Sequence, residues 1–221
     1  MKSYEAIIIG ATGATGTEIL SKLIKDNDFK KIIVFTRKPP LIKNVKLVVN
    51  IVDFDQIESW KSEIKGDVLF SAMGTTLKDA GSKENQYKVD FTYQFSIAKA
   101  ASENNVKKLL LISSVGANYQ SNFFYPRIKG ELEKAVKELD FEHLSIFQPP
   151  VLVRQNDKIR SGEKVLIKVF KALNMLGLLV SQKPMEVDIL ANKMISTSKK
   201  ESQQKQNTYL PKDIFRKIKK V

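Results

Sequence analysis

Three glycines follow an apolar stretch near the start of the chain, and they restrict its fold more than any other feature. The segment reads AIIIGATGATG, with Gly10, Gly13 and Gly16 spaced three residues apart. It lies between a predicted strand, Ala6–Ile9, and a helical pattern that begins after Gly16. Such a turn allows a tight bend, close approach of backbone N–H groups to a pyrophosphate, and close helix–strand packing. We therefore predict that this turn binds a dinucleotide. The other residues of the turn that are predicted to contact the cofactor are Thr12, Ala14 and Thr15.

Short apolar stretches alternate with helical patterns over the first two thirds of the chain. This alternation predicts an α/β fold with a doubly wound parallel sheet of the Rossmann type. The predicted strands are Ala6–Ile9, Lys31–Phe35, Leu47–Val52, Val68–Ser71, Lys108–Ile112 and Leu144–Gln148. The main predicted helices follow Gly16 and cover residues 84–104 and 125–139. No Lys-Ser or Lys-Thr follows the glycines, which disfavours a nucleoside-triphosphate P-loop.

Beyond Pro150 the alternation stops and the pattern becomes mostly helical. One apolar face includes Val187, Leu190 and Met194, and residues 196–207 are predicted as a polar loop. We predict one domain over residues 1–221, with a cofactor-binding core at 1–152 and a small C-terminal lid with closing elements at 153–221. The apolar stretch at residues 165–180, which includes Phe170, is the predicted substrate wall.

Composition and charge disfavour several classes of protein function. The 221 residues contain 37 Lys and Arg against 24 Asp and Glu, a net charge of +13, and no Cys. Because the basic residues are spread without an aromatic-interleaved stripe or a known nucleic-acid motif, binding to nucleic acid is disfavoured. The chain begins with a predicted strand, and its longest apolar stretch carries Lys168 and Lys171, so we predict no signal peptide, no transmembrane segment and a cytoplasmic protein. The lone His143 has no partner ligands, and no metal site is predicted.

The end of the second predicted strand indicates which dinucleotide is bound. Arg37 and Lys38 stand where an acid would accept a hydrogen bond from the ribose 2′-hydroxyl of NAD(H). A guanidinium there can stack on adenine and pair with a 2′-phosphate, so NADP(H) is favoured and NAD(H) remains the alternative. After the third strand, Asp53 and Phe54 are predicted to contact the adenine. Asp53 is as well placed to cap a helix.

A Ser, a Tyr and a Lys follow the fifth strand in an order that indicates catalysis. Tyr125 and Lys129 are four residues apart, so they share one helix face, and Pro126 is tolerated in the first turn. We expect the ammonium of Lys129 to lower the pKa of the Tyr125 phenol and also to bind the nicotinamide ribose of the cofactor. Tyr125 would then exchange a proton with a carbonyl or alcohol oxygen that Ser114 orients.

The same residues carry a family resemblance. The chain resembles the atypical short-chain dehydrogenase/reductases, and among them the Tat-interactive protein family of oxidoreductases, over residues 5 to about 165. The matching segments include Val52-Asp53-Phe54, Gly74-Thr75-Thr76, Val89-Asp90, Ser113-Ser114, Lys129-Gly130-Glu131 and Phe147-x-Pro149-x-Val151. The resemblance implies a Rossmann fold with bound NADP(H) and a cofactor pocket lined by Ala72, Met73, Gly74, Pro149 and Val151.

Three functions compete at this stage. The first is an NADP(H)-dependent oxidoreductase acting on a small or lipophilic carbonyl or alcohol. The second is a non-catalytic sensor that reports NADP(H) occupancy to a protein partner, and Tyr125 beside Lys129 favours the enzyme over it. The third, an accessory protein at a membrane surface or on nucleic acid, depends only on charge and on the apolar stretch at residues 165–180.

Overall fold

Seven parallel strands form one sheet in the computed structural model, which describes residues 3–153, 183–201 and 203–216. Its order is β3-β2-β1-β4-β5-β6-β9, and β7 pairs separately with β8. The strands are β1 (Tyr4–Ile9), β2 (Phe29–Thr36), β3 (Leu47–Ile51), β4 (Val68–Ser71), β5 (Lys108–Ile112), β6 (His143–Phe147), β7 (Leu152–Val153), β8 (Met185–Glu186) and β9 (Gln206–Tyr209). The predicted doubly wound α/β fold is confirmed, and the strand order reverses between β1 and β4.

Helices cover both faces of this sheet. They are α1 (Ala14–Lys25), α2 (Leu77–Ala80), α3 (Lys83–Tyr87), α4 (Tyr93–Glu103), α5 (Phe124–Lys137), α6 (Val187–Ser198) and α7 (Pro211–Phe215). Short 3₁₀ turns occupy Phe54–Ser59 and Lys61–Glu63. A π-helical turn at Lys88–Thr92 joins α3 to α4, so the single helix predicted over residues 84–104 contains a π-bulge.

Alternate side chains of each strand enter two separate cores. From β1, Ile7 and Ile9 pack in the core that includes residues of α4 and α5, whereas Ala6 and Ile8 pack in the core that includes α1 and α6. All four are fully buried. Burial on both faces explains why these strands are continuous apolar stretches rather than alternating ones.

The C-terminal elements complete the sheet and one helix layer. The predicted apolar face of α6 is confirmed, since Val187, Leu190 and Met194 are buried. The predicted polar loop over residues 196–207 is wrong at both ends, because α6 continues to Ser198 and β9 begins at Gln206. As an edge strand, β9 pairs only with β6 and leaves alternate residues exposed, which explains its polar sequence. The predicted substrate wall at residues 165–180 lies outside the described residues.

Within the described part of the chain, no helix is long and apolar enough to cross a bilayer. The same residues contain no group of His, Cys, Asp or Glu that could hold a metal ion.

Candidate cofactor and active site

The glycine turn is shaped by backbone atoms that approach too closely for a side chain. Gly10 has φ +79°, and a Cβ there would lie 2.4 Å from the Ala72 carbonyl oxygen. A Cβ on Gly16 would lie 2.1 Å from the Gly10 carbonyl oxygen. These contacts place the end of β1, the start of α1 and the segment after β4 against one another. Glycine at both positions is therefore required by close packing, as predicted for the first and last glycines.

The N-terminus of α1 is open to an anion. Gly13 is its N-cap, no side chain caps it, and no acidic residue stands in the first turn. The first N–H groups of a helix have no intrahelical partner, and the helix dipole favours negative charge at that end. Thr12 is exposed, Ala14 is partly buried and Thr15 is buried. A glycine cradle at an uncapped helix end fits the pyrophosphate of a dinucleotide.

Two basic side chains lie exposed at the carboxyl end of β2. Arg37 and Lys38 follow Thr36, whose hydroxyl donates a hydrogen bond of 2.8 Å to the Lys38 carbonyl oxygen and thereby fixes the turn. After β3, Asp53 caps a 3₁₀ turn by accepting a hydrogen bond from the Asp55 N–H at 3.0 Å. The ring of Phe54 is buried and faces Trp60 and Tyr93.

The other residues predicted to line the cofactor follow β4 and β6 at the same sheet edge. Ala72 and Met73 pass directly beside Gly10. Gly74 is exposed, and a Cβ on it would lie 3.3 Å from an Asp90 carboxylate oxygen. The Pro149 carbonyl accepts a hydrogen bond from the Val115 N–H at 3.1 Å, which joins the segment after β6 to the one after β5. Val151 is partly buried and accepts from the Met185 N–H.

Ser114, Tyr125 and Lys129 meet beyond the carboxyl end of β5. The Asn118 N–H donates to the Pro126 carbonyl at 3.0 Å, and this contact ties the loop that carries Ser114 to the first turn of α5. The Ser114 hydroxyl donates to the Val115 carbonyl oxygen at 3.3 Å and lies near enough to the Tyr125 phenol to lower its pKa. The Lys129 ammonium lies 5.9 Å from the centre of the Tyr125 ring. The three residues are therefore neighbours, as the spacing predicts.

The proton affinity of Tyr125 differs from the sequence-based expectation. Partial burial raises the pKa of the Tyr125 phenol above its usual value, although 38% of the residue remains exposed. The Lys129 charge and the nearby Ser114 hydroxyl lower this pKa, and the Asp90 carboxylate raises it. The expected lowering by Lys129 is present, but burial and Asp90 outweigh it.

Lys129 is held in a buried ion pair. Its side chain is 3% exposed, and its ammonium lies 2.9 Å from Oδ1 of Asp90, whose side chain is 1% exposed. Burial opposes the positive charge, but nearby acidic groups, led by Asp90, raise the pKa of the Lys129 ammonium above its usual value. Lys129 therefore stays charged at neutral pH.

A second buried carboxylate lies one turn further along α5. Glu133 accepts a hydrogen bond from the Ser113 hydroxyl, and the Gln148 amide donates to both of its carboxylate oxygens at 2.9 and 3.0 Å. Ser113 and Glu133 are both buried. These contacts join the ends of β5 and β6 to α5 next to the Ser114 loop, so they hold in place the elements that carry Ser114 and Lys129.

Sequence reasoning assigned no role to Asp90 or Glu133, although one signal was available for Asp90. Gln86, Asp90 and Gln94 are spaced four residues apart, and all three are buried. Gln94 accepts a hydrogen bond from the Ser71 hydroxyl at 2.8 Å, and its amide donates to the Asp90 carbonyl at 3.0 Å. A polar stripe along an otherwise apolar helix indicates a buried hydrogen-bond network.

Comparisons with known proteins identify the family of this chain. A family model described as NAD(P)H-binding matches residues 10–143. Protein HTATIP2 from Rattus norvegicus is 32% identical over 216 residues, which cover 88% of this chain and 89% of that protein. A protein from Emericella nidulans named "Protein fmp52, mitochondrial" is 39% identical over 167 residues, 72% of this chain and 71% of that protein.

Solved structures with low sequence identity share the fold. The Bordetella bronchiseptica enzyme WbmH in complex with NAD+ superposes with a TM-score of 0.72 at 14% identity, covering 94% of this chain and 75% of that one. A UDP-N-acetylglucosamine 4-epimerase from Methanobrevibacter ruminantium M1 gives a TM-score of 0.69 at 14% identity, with 95% and 76% coverage.

Proposed function

The chain belongs to the NAD(P)H-binding family, among the atypical short-chain dehydrogenase/reductases that include rat HTATIP2 and the fungal FMP52 proteins, and on that premise we propose that it is an NADP(H)-dependent oxidoreductase. Its substrate class is a small or lipophilic carbonyl compound or alcohol. The observation that carries the proposal is the meeting of Ser114, Tyr125 and Lys129 at the sheet edge that also bears the glycine turn.

The glycine cradle and the uncapped first turn of α1 would hold the pyrophosphate. Arg37 and Lys38, exposed at the end of β2, would face the adenosine end of the cofactor and favour a 2′-phosphate. Ala72, Met73 and Gly74 on one side and Pro149 and Val151 on the other would line the remainder. The bound cofactor supplies or accepts a hydride at its nicotinamide ring.

The protein's own residues would handle the proton and the position of the substrate oxygen. The Tyr125 hydroxyl is the proton donor or acceptor, and the nearby Ser114 hydroxyl orients the oxygen. Lys129 keeps a positive charge beside the phenol because its ion pair maintains its protonation. Residues 153–221 would contribute the lid and closing elements of a single domain.

Turnover with a Tyr125→Phe control tests this proposal. NADPH consumption would be followed with short-chain aldehydes, quinones and lipophilic ketones. We expect at least one class to be reduced, and Tyr125→Phe to lower that rate by at least ~10²-fold, the usual effect of losing a general acid. NADPH binding should be retained, because the variant changes no cradle residue. Equal rates in both proteins would refute the role of Tyr125.

The compartment and partners belong to the same proposal. We keep a cytoplasmic location as a prediction, although the fungal relatives are named as mitochondrial proteins. Fluorescence microscopy of a C-terminally tagged full chain would decide between the two compartments. The hypothesis of a non-catalytic sensor with a protein partner gains no support from the comparisons.

A further inference from the structure

We propose that Asp90 is a positioning residue: its buried carboxylate pairs with the Lys129 ammonium at 2.9 Å, fixes that ammonium beside Tyr125 and takes up part of its charge. This inference rests on the proposed function above and adds a residue to its site. Asp90 acts through Lys129 and does not itself contact the reacting atoms.

Asp90 is fixed from three sides. It lies in the π-helical turn between α3 and α4, a rare geometry that occurs often at functional sites. Its Oδ2 accepts a hydrogen bond from the Thr75 N–H at 3.1 Å, and its Oδ1 lies 2.9 Å from the Lys129 ammonium. Gly74 leaves room for this carboxylate, because a Cβ there would lie 3.3 Å from Oδ1. The carboxylate therefore has one well-defined position against Lys129.

This ion pair takes up much of the charge that Lys129 would otherwise direct at the phenol. A free ammonium beside a phenol stabilises the phenolate, whereas a carboxylate nearby destabilises it. Burial raises the pKa of Tyr125 first, the ammonium opposes this effect, and Asp90 raises the pKa again. The net result is a phenol that remains protonated at and above neutral pH.

The surrounding ionisable groups support this assignment. Asp90 faces the pair from the π-turn, Glu133 and Tyr125 act on Lys129 from its own helix, and the Ser114 hydroxyl lies near the phenol on the loop after β5. Asp90 is the carboxylate that acts on both Lys129 and Tyr125, whereas Glu133 acts on Lys129. Asp90 therefore favours the neutral phenol over the phenolate.

Tyr125 would act as the proton carrier of the reaction. In carbonyl reduction its O–H bond would break as the proton moves to the carbonyl oxygen, the hydride would come from a bound reduced nicotinamide, and the resulting phenolate would regain a proton from solvent. Alcohol oxidation is the reverse and starts from the phenolate. Because an ammonium paired with Asp90 stabilises the phenolate less, the pairing moves the pH limits of both directions upward.

The first test is a titration that needs no turnover. The phenolate absorbance of the full protein is followed against pH, and the same curve for Tyr125→Phe is subtracted to isolate Tyr125. We expect a pKa above 10 in the wild-type protein and a fall of about one pH unit or more in Asp90→Asn, the scale that one adjacent charge exerts. Asp90→Glu, which keeps the charge, should restore most of the wild-type value.

Glu131→Gln is the matched control. Glu131 lies two residues beyond Lys129 on α5, but it pairs with Arg127 and acts on Tyr87 rather than on Tyr125. The difference titration for Tyr125 should therefore be unchanged. Should Asp90→Asn fail to fold, the wild-type titration still decides, because a Tyr125 pKa below 10 would overturn the proposal.

The second test uses turnover. The alkaline limb of the pH–rate profile for carbonyl reduction should move to lower pH in Asp90→Asn and stay in place in Glu131→Gln. A Tyr125 pKa that does not change in Asp90→Asn would overturn the inference even if the protein is an active reductase. Absence of turnover on every carbonyl would instead refute the proposed function, while the titration would still report on Asp90.

Discussion

Alanine at position 13 should separate cofactor binding from folding. A Cβ added to Gly13 meets only the Gly10 carbonyl oxygen, at 3.3 Å, and otherwise enters open space. The backbone of Gly13 has φ −78° and ψ 173°, which any residue adopts without strain. A methyl group there should disturb the protein little and still occupy the open side of the turn, where we place the pyrophosphate.

The outcome depends on two free energies, the loss of folding stability and the loss of NADPH binding. Alanine is a poorer N-cap than glycine, so the variant should lose roughly 1 kcal/mol of stability, or about 2–4 °C in Tm for a chain of this size. Loss of one or two hydrogen bonds to a charged phosphate costs about 3 kcal/mol, roughly a hundredfold in Kd. At a concentration of 100 Kd, NADPH stabilises the wild-type protein by about 2.7 kcal/mol, and a hundredfold weaker site retains about 0.4 kcal/mol.

Thermal unfolding with and without NADPH measures both effects in one experiment. Gly13→Ser is a matched variant, because it restores a capping oxygen but keeps the added Cβ. We expect it to recover the Tm of the unliganded protein without recovering the NADPH-dependent increase. Gly16→Ala should behave differently, since its Cβ would lie 2.1 Å from a backbone oxygen and the fold itself must shift. A full NADPH-dependent increase in Gly13→Ala would refute the assignment of the turn.

Three further variants probe the remaining contacts. Arg37→Glu should abolish any preference for NADPH over NADH, costing on the order of 1–3 kcal/mol in NADPH binding by calorimetry, and equal binding of both cofactors by the wild-type protein would contradict the role of Arg37. Lys129→Met should lower the free energy of unfolding in urea by about 3–5 kcal/mol, because it leaves Asp90 buried and unpaired, and adding Asp90→Asn should recover part of the loss. Lys199→Met should cost only about 0.5–1 kcal/mol, since that ammonium is partly exposed although it pairs with two carboxylates. Burial lowers the pKa of Lys199, but the opposite effect of its two acidic partners is larger, so the pKa is raised in the folded protein. The stability that Lys199 contributes is therefore complete below the unfolded pKa near 10.5 and is lost as the pH rises through the higher folded pKa. A contribution of Lys199 that disappears near neutral pH would contradict this ion pair.

The central strands of the sheet could be predicted because strands that are buried on both faces have continuous apolar sequences. Val68–Ser71 and Lys108–Ile112 match the predicted bounds, since both are central strands with helices on both faces. The edge strand β9 could not be recognised, because its sequence QNTY has polar residues wherever solvent replaces a helix layer. The apolar pattern of a sequence therefore predicts a strand only where that strand packs against other elements and needs apolar residues.

The site could be predicted only as far as it depends on local spacing. Tyr125 and Lys129 are four residues apart on one helix, and their proximity follows from helix geometry alone. The ion pair between Asp90 and Lys129 joins residues 39 positions apart and depends on how two helices pack and on a π-turn between them. No local pattern encodes this ion pair, so the lowering of the Tyr125 pKa by Lys129 could be predicted, but the larger opposing effects of burial and Asp90 could not.

Exposed and buried charged groups lie on opposite sides of the point where the strand order reverses. Beyond β1 and β2, anion binding would depend on uncapped amides and on exposed Arg37 and Lys38, which remain hydrated and cost little to keep charged. Beyond β4 and β5, the buried charges of the described residues are Asp90, Glu133 and Lys129, so carboxylates outnumber the ammonium. Because this buried balance is negative, we expect the site to accept neutral carbonyl compounds and to disfavour carboxylates. The phosphates of the cofactor and the reacting carbonyl would then be drawn to opposite sides of the same sheet edge.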